Sequence, residues 1–262
     1  MGTLKRALLF ACVVASGAAA AAAAASEPVP GFGADWMSWR AGDDVTNTAS
    51  LQRGARNFMG YCLGCHGLKY ERYSRLAADL EITPEELQKY LLAPGDKPAD
   101  YILTTMPAGD AATWFGKTPP DLSLMARARG TDYLYQFLKT FYVDASTPSG
   151  ANNLRLDATA MPAVLSELEG LKRAVFKDEQ ETGADGKLMT KHVFDHFEPL
   201  APGRLSAAQY DEFVRDTVNF LDYVGEPIQA ARRALGIWVV LFLLVLTWLA
   251  WLLKQEYWKD VR

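Results

Sequence analysis

Residues 234–253 read ALGIWVVLFLLVLTWLAWLL, 20 residues without a charged side chain. As a helix rising ~1.5 Å per residue the run is about 30 Å long, the thickness of a bilayer's hydrocarbon core. It is apolar on every side, so it lacks the polar face that a surface helix of a globular domain turns to water. Charges fence both ends, with Arg232 and Arg233 before it and Lys254, Glu256 and Lys259 after it. Trp238, Trp248, Trp251, Tyr257 and Trp258 supply the aromatics that settle at membrane interfaces. The run predicts one transmembrane helix, and the rest of the chain must fold outside the lipid.

At the other end, Lys5 and Arg6 precede an apolar run from Ala7 to Ala15, then small residues to Ala25. That is the layout of a secretory signal peptide, with cleavage expected before Ser26 and Cys12 lost with it. Two basic residues precede the transmembrane run and three follow it, which orients it only weakly. Export orients it better, placing the body on the periplasmic side of a bacterial inner membrane and a nine-residue tail inside. The expected organisation is a signal peptide at 1–25, an exported domain at 26–231, and an anchor with a short cytoplasmic tail at 232–262.

Charge divides along the same boundaries. The whole chain carries −4, but the exported domain holds 20 basic against 29 acidic residues, a net −9. An acidic domain is no nucleic-acid binder; it favours a basic partner and speeds that encounter at low salt. Three cysteines are too few for a disulfide-stapled scaffold or an all-Cys zinc site.

Within the body, Ser50 to Tyr61 has helical spacing, with Leu51, Ala55, Phe58, Met59 and Cys62 on one side. Thr83-Pro84-Glu85-Glu86 is a capping box that opens a short helix to about Leu92. Residues 93–120 are proline-rich and read as loop. Gly130-Thr131-Asp132 opens a helix to about Tyr142, residues 143–160 read as polar loop, and 183–200 as a small hairpin. Ser206 with Gln209 is a second capping box, starting a helix to Val224 that buries Tyr210, Phe213, Val214, Leu221 and Val224. Gly225-Glu226-Pro227 then hinges into the anchor. Such a body, mainly helix plus long loops, needs something besides a layered core to organise it.

Cys62-Leu63-Gly64-Cys65-His66 supplies it. This is CxxCH: two thiols on one turn, spaced to add across the two vinyl groups of a haem, followed by a histidine that ligates the iron. One such motif predicts one covalently attached haem c. A thioredoxin-like pair would follow a strand in a βαβ unit, which is absent, and a structural disulfide would leave His66 without a role. A methionine sixth ligand suits electron transfer, whereas an open position suits gas or peroxide chemistry. Met106, Met125, Met161 and Met189 are the methionine candidates, and His192 and His196 the histidines. Met125 sits in an apolar stretch and reads as core; Met189, His192 and His196 sit in a charged segment and read as surface. Met106-Pro107 and Met161-Pro162 both place the candidate before a proline, and local sequence does not separate them.

Taken in order, Tyr61 to His66, Tyr70, Tyr73, Pro119-Pro120-Asp121-Leu122-Ser123, Arg127-Ala128-Arg129 and Met161-Pro162 resemble cytochrome c1. So does the close, from Asn219-Phe220-Leu221 through Gly225-Glu226-Pro227 into a single anchor ending Lys254-Gln255-Glu256-Tyr257-Trp258. The resemblance spans essentially the whole mature chain. It implies a mainly α, cytochrome c-like haem domain with one C-terminal transmembrane helix, working as the haem c subunit of a ubiquinol–cytochrome c reductase. It implies Cys62 and Cys65 as haem attachments, His66 as proximal ligand and Met161, not Met106, as distal ligand. By the same resemblance Pro119 and Pro120 lie on the proximal side, where a backbone carbonyl orients His66; Arg129 pairs with a haem propionate; and Tyr133, Tyr70 and Tyr73 line the pocket or pack beside it. Arg127 reads as a surface charge. The segment from Asn152 to Ala160 is more polar than the family's loop there, and Ala163 follows Pro162.

The function this implies is single-electron transfer from a Rieske iron–sulfur protein to a soluble cytochrome c-type acceptor. The expected partners are cytochrome b, the Rieske subunit and membrane lipid, in a dimeric complex. The alternative is a tethered cytochrome c feeding a terminal oxidase or another periplasmic reductase. Asp79, Glu81, Glu85 and Glu86 form one acidic cluster, and Asp178, Glu179, Glu181 and Asp185 another.

Overall fold

The computed structural model describes residues 35–182 and 188–260. The expected signal peptide at 1–25 and its cleavage point lie outside these residues. In chain order the elements are α1 (Thr48–Tyr61), β1 (Leu68–Arg72), α2 (Tyr73–Asp79), and α3 (Pro84–Glu86), which runs into a π-helical turn at Leu87–Leu91. Then come β2 (Tyr101–Ile102), α4 (Ala108–Phe115), α5 (Met125–Arg129), α6 (Thr131–Lys139), β3 (Phe141–Val143) and β4 (Ala151–Asn153). The last are α7 (Ser166–Glu169), β5 (Gly170–Thr182), β6 (Leu188–Pro202), α8 (Ala207–Gly225) and α9 (Gln229–Tyr257). The strands pair only as antiparallel couples, β1–β2, β3–β4 and β5–β6, so helices carry the core.

The centre is the crossing of α1 and α8. Leu51, Ala55 and Phe58 of α1 and Val214, Val218, Phe220 and Leu221 of α8 are all buried, and the Phe58 and Phe220 rings lie 5.9 Å apart. Gly54 makes the close approach possible. A Cβ there would fall 2.6 Å from Phe220 Cβ and against the backbone of Asp216. Polar groups lock the same crossing. Arg53 Nε donates to Asp216 Oδ2 at 2.5 Å, Ser50 Oγ to Asp216 Oδ1 at 2.6 Å, and Asn57 Nδ2 to Phe213 O at 3.2 Å. Asp216 is buried, so its two donors supply what water no longer can.

Both capping boxes form as the sequence predicts. Thr83 Oγ1 accepts from Glu86 N while Glu86 Oε2 accepts from Thr83 N, and Ser206 and Gln209 do the same at the start of α8. Three expectations need correction. The segment 93–120 is not all loop, because α4 forms between Pro107 and Gly116, the latter at φ +71° closing the helix. The helix after Gly130 stops at Lys139; Phe141-Tyr142-Val143 is aromatic and β-branched and pairs with β4, inside the stretch expected as polar loop. The hairpin is longer than 183–200 and starts at Gly170. There φ is +100°, and an added Cβ would meet Gly203 N at 2.7 Å, so two glycines let the hairpin base close.

α9 is 29 residues long with a mean hydropathy of 2.5 in its most apolar window, and none of that window is buried by protein. It is long and apolar enough to cross a membrane.

Candidate haem site

The CxxCH segment is a continuation of α1. Cys62 N and Leu63 N both donate to Phe58 O, and Cys65 N and His66 N both donate to Cys62 O at 3.0 and 2.8 Å. One tight turn therefore carries both thiols and the imidazole, and the α1–α8 crossing fixes where that turn sits. The cysteines are unbridged and half-buried. Burial, with the neighbouring Cys65, pushes the Cys62 thiol up to about 12. A thiolate is disfavoured there, which speaks against a reactive dithiol or a thiolate metal ligand. A neutral sulfur, as in a thioether, suits the site.

His66 Nδ1 lies 2.7 Å from the Pro120 carbonyl oxygen. A carbonyl only accepts, so Nδ1 carries the proton and Nε2 keeps its lone pair for a metal. Burial lowers the imidazole's pKa, partly opposed by Pro120 and Asp121, and favours the neutral ring that ligation needs. The Pro119–Ser123 segment is clamped to the chain leaving the motif. Asp121 Oδ2 accepts from Lys69 N at 2.8 Å, Asp121 Oδ1 accepts from Ser123 N at 3.0 Å, and Leu122 N donates to Gly67 O at 2.9 Å. Asp121 thus holds the proline pair in place, a role its spacing alone does not reveal.

On α5 and α6, Arg129 stacks on the Tyr133 ring at 5.5 Å from its centroid. Arg155 lies on the same ring at 4.7 Å and was not singled out from sequence. Its only signal is that it stands in the unusually polar stretch before Met161. Neither guanidinium has a carboxylate partner among the described residues, so two cations converge with their charge uncompensated. Arg127, by contrast, pairs with Glu226 at 3.0 Å, in line with its reading as a surface charge. Tyr73 is fully buried and donates to Asp96 at 3.1 Å, so it packs the core, while Tyr70 is exposed. His192 and His196 hydrogen-bond to Asp178 and Asp195, and among the described residues no group of three or more His, Cys, Asp or Glu is placed to hold a metal ion.

The two methionines left open by local sequence occupy different surroundings. Met106 N donates to Thr104 Oγ1, which donates to Gly64 O at 3.0 Å, so its loop is tied to the CxxCH turn. Met161, half-buried, lines a cavity of about 220 Å³ with Leu138, Phe141, Glu169, Lys172 and Tyr210. Four large apolar side chains in the loops that carry these residues stand exposed: Leu103, Leu124, Leu156 and Val164. Apolar loops, an imidazole with a free Nε2, two unbridged cysteines on one turn and two arginines without a carboxylate partner among the described residues together fit an apolar macrocycle with anionic edges.

The Cytochrome C1 family model matches residues 43–261. Cytochrome c1 of Allochromatium vinosum is 46% identical over 218 residues, covering 83% of this chain and 87% of that protein. A Nitrosomonas europaea protein named ammonia monooxygenase gamma subunit is 43% identical over 218 residues, covering 83% and 86%. The mitochondrial cytochrome c1 heme protein of Saccharomyces cerevisiae is 27% identical over 233 residues, covering 82% and 68%.

Proposed function

The chain belongs to the cytochrome c1 family, and from that premise we propose that it carries single electrons from the Rieske iron–sulfur protein to a soluble cytochrome c-type acceptor. Membership makes it the haem c subunit of a bc1 complex, an electron-transport oxidoreductase of the respiratory chain, with cytochrome b and the Rieske protein as fellow subunits and the membrane as its anchorage. The tethered-cytochrome alternative is not favoured. The name of the Nitrosomonas relative concerns ammonia oxidation, whereas this chain's one cofactor motif is CxxCH, a haem-carrier motif.

The haem supplies a one-electron iron couple; the protein supplies its placement. Cys62 and Cys65 hold it covalently, and His66 offers Nε2. The Pro120 carbonyl fixes the ring's tautomer and orientation. Met161, which lines the cavity beside Leu138 and Phe141, would supply the second iron ligand, a thioether that would raise the potential. Arg129 and Tyr133, joined by Arg155, receive the propionates as charge-assisted partners. The domain of residues 26–231 stands on the periplasmic side of the inner membrane, after loss of residues 1–25 and ahead of the anchor at 232–262. Its net −9 attracts a basic acceptor, and the complex is a dimer.

The observation that carries this reading is the 2.7 Å contact from His66 Nδ1 to Pro120 O, which leaves a ligand nitrogen free on the same turn as the two cysteines. Redox titration and absorption spectra of Met161→Leu and Met106→Leu test it. Met161→Leu lowers the potential and abolishes acceptor reduction; Met106→Leu does neither. A five-coordinate spectrum from the Met106 variant alone overturns the ligand choice.

A further inference from the structure

Glu71 is an acid in a place built for an apolar residue. It is 3% exposed, and its Oε1 is buried without a hydrogen-bond partner. Its burial comes from a β-bulge. Leu68 and Glu71 both point inward although two residues lie between them, out of step with a period of two, because the β1–β2 register slips between Leu68 and Arg72. The charged and titratable groups around it come from its own strand and from two helices. On β1, Lys69 lies over the Tyr70 ring and Arg72 over the Tyr101 ring, and both side chains are exposed. From α2 come Arg75 and Asp79, and from α8 comes Tyr223.

The donors that would stabilise a Glu71 carboxylate are committed elsewhere. Arg75 Nε donates to Asp79 Oδ2 at 2.5 Å, and Tyr223 Oη donates to the same oxygen at 2.9 Å. Asp79 collects both, so among the described residues neither group hydrogen-bonds the Glu71 carboxyl; the Arg75 charge still favours its ionised form through space, opposed by burial and by Asp79. An ionised carboxylate in that position is costly, so the carboxyl binds its proton more tightly than usual. Burial raises its pKa to about 7. Glu71 also follows His66 by only five residues, so at ~3.4 Å per residue the two backbones are within about 17 Å.

We propose that Glu71 is a redox-linked proton site: its carboxylate takes one proton from solvent when the domain takes one electron, and releases it when the electron leaves. This rests on the haem reading above. The electron comes from the iron–sulfur donor and reduces iron(III) to iron(II); the proton forms one O–H bond at Glu71, and no other bond changes. Added negative charge in the domain favours the neutral acid. By reciprocity the neutral acid favours the electron, so the potential falls as pH rises through the Glu71 titration.

The test uses the full-length protein in detergent, with haem content and the c-type absorption band recorded first. Wild type, Glu71→Gln and Asp79→Asn are titrated for midpoint potential across about pH 6 to 8. Redox-difference infrared spectra report the carboxylic-acid C=O stretch, and thermal melting is measured over the same range and down to about pH 5. Wild type is expected to show a potential that falls with pH and a C=O signal on reduction. Glu71→Gln loses both. Asp79→Asn frees Arg75 and Tyr223 for Glu71 and shifts the fall to lower pH. Because the Glu71 value is raised in the fold, its stabilising contribution is full below 4.5 and is lost as pH rises through about 7; melting of wild type therefore falls across that window and that of Glu71→Gln does not. A wild-type potential that is flat with pH, or a haem-loaded Glu71→Gln with the wild-type slope and infrared signal, overturns the proposal. A chain without covalent haem overturns the haem reading instead, and the melting comparison still tests the titration of Glu71.

Discussion

Gly54→Ala tests whether the α1–α8 crossing positions the haem turn. The new Cβ would lie 2.6 Å from Phe220 Cβ and 2.8 Å from the Asp216 carbonyl carbon, and against the Asp216 carbonyl oxygen. Carbon atoms in contact need ~3.5–4.0 Å, and two of the three obstacles are backbone, which cannot rotate away. The helices must part by about 1 Å. Overpacking of this kind costs ~1–3 kcal/mol. Parting also stretches the Ser50 and Arg53 bonds to Asp216 and the Asn57 bond to Phe213, each worth ~1 kcal/mol. Alanine's better helix propensity returns ~1 kcal/mol. The net is a loss of about 3–5 kcal/mol, or roughly 6–20 °C in melting temperature for a domain of this size.

Gly60→Ala is the matched control. Gly60 lies on the same helix, nearer the cysteines, and a Cβ there meets nothing within 4 Å. It should be neutral or stabilised by up to ~1 kcal/mol. Far-UV circular dichroism melts of both variants in detergent, with covalent haem content measured alongside, give the answer. A Gly54 variant melting within about 2 °C of wild type, with full haem content, refutes the claim that this contact sets the helix spacing.

Asp211 receives the Lys139 ammonium, the Tyr135 hydroxyl and Arg215 Nε, the last at 2.6 Å. Asp211→Asn leaves a buried cation poorly compensated and should cost about 3 kcal/mol in a denaturant titration. Burial pushes the Asp211 carboxyl up, but the three donors outweigh it and hold it below the ordinary carboxylate value. Its contribution is therefore present above that ordinary value and lost as pH falls through the lowered one, so wild type should lose stability in acid by a step the Asn variant lacks. Thr83→Ala removes one half of a formed capping box and should cost ~1 kcal/mol, visible as faster amide exchange over residues 84–91.

What the sequence reveals depends on how local the cause is. α1, α8, the two capping boxes and the apolar anchor follow from spacing within one element, and all stand where the pattern puts them. The hairpin start does not, because β5 and β6 carry charged residues on exposed faces and so show little alternation of hydrophobicity, and because the close approach of Gly170 to Gly203 joins residues far apart in sequence. α4 is eight residues between a proline and a glycine, short enough to pass for loop. At the site, CxxCH is legible by itself. The Pro120 carbonyl was legible only through family resemblance, and Arg155 not at all, since its meeting with Tyr133 is made by the fold. Glu71 is the sharpest case. Period-two alternation from Leu68 puts it on the exposed face, and the bulge turns it inward.

The same long helix that braces the haem turn also leads to the membrane, and its end is tied down. Glu226, just past α8, accepts from Arg127 at 3.0 Å and pairs with Arg232 at 2.5 Å, joining α5 to the first turn of α9. The Arg232 guanidinium, with Arg127, holds the Glu226 carboxyl below the ordinary range, so it stays ionised at neutral pH. Arg127 begins the run that ends at Arg129, one of the two cations on Tyr133. One side of the α5 segment thus touches the anchor's root and the other the expected propionate site. Each exposed pair contributes little stability by itself. Their consequence is geometric: the root of the anchor, through Arg127 and Glu226, and the Arg129–Tyr133 pair proposed for the propionates are referred to the same five residues of α5.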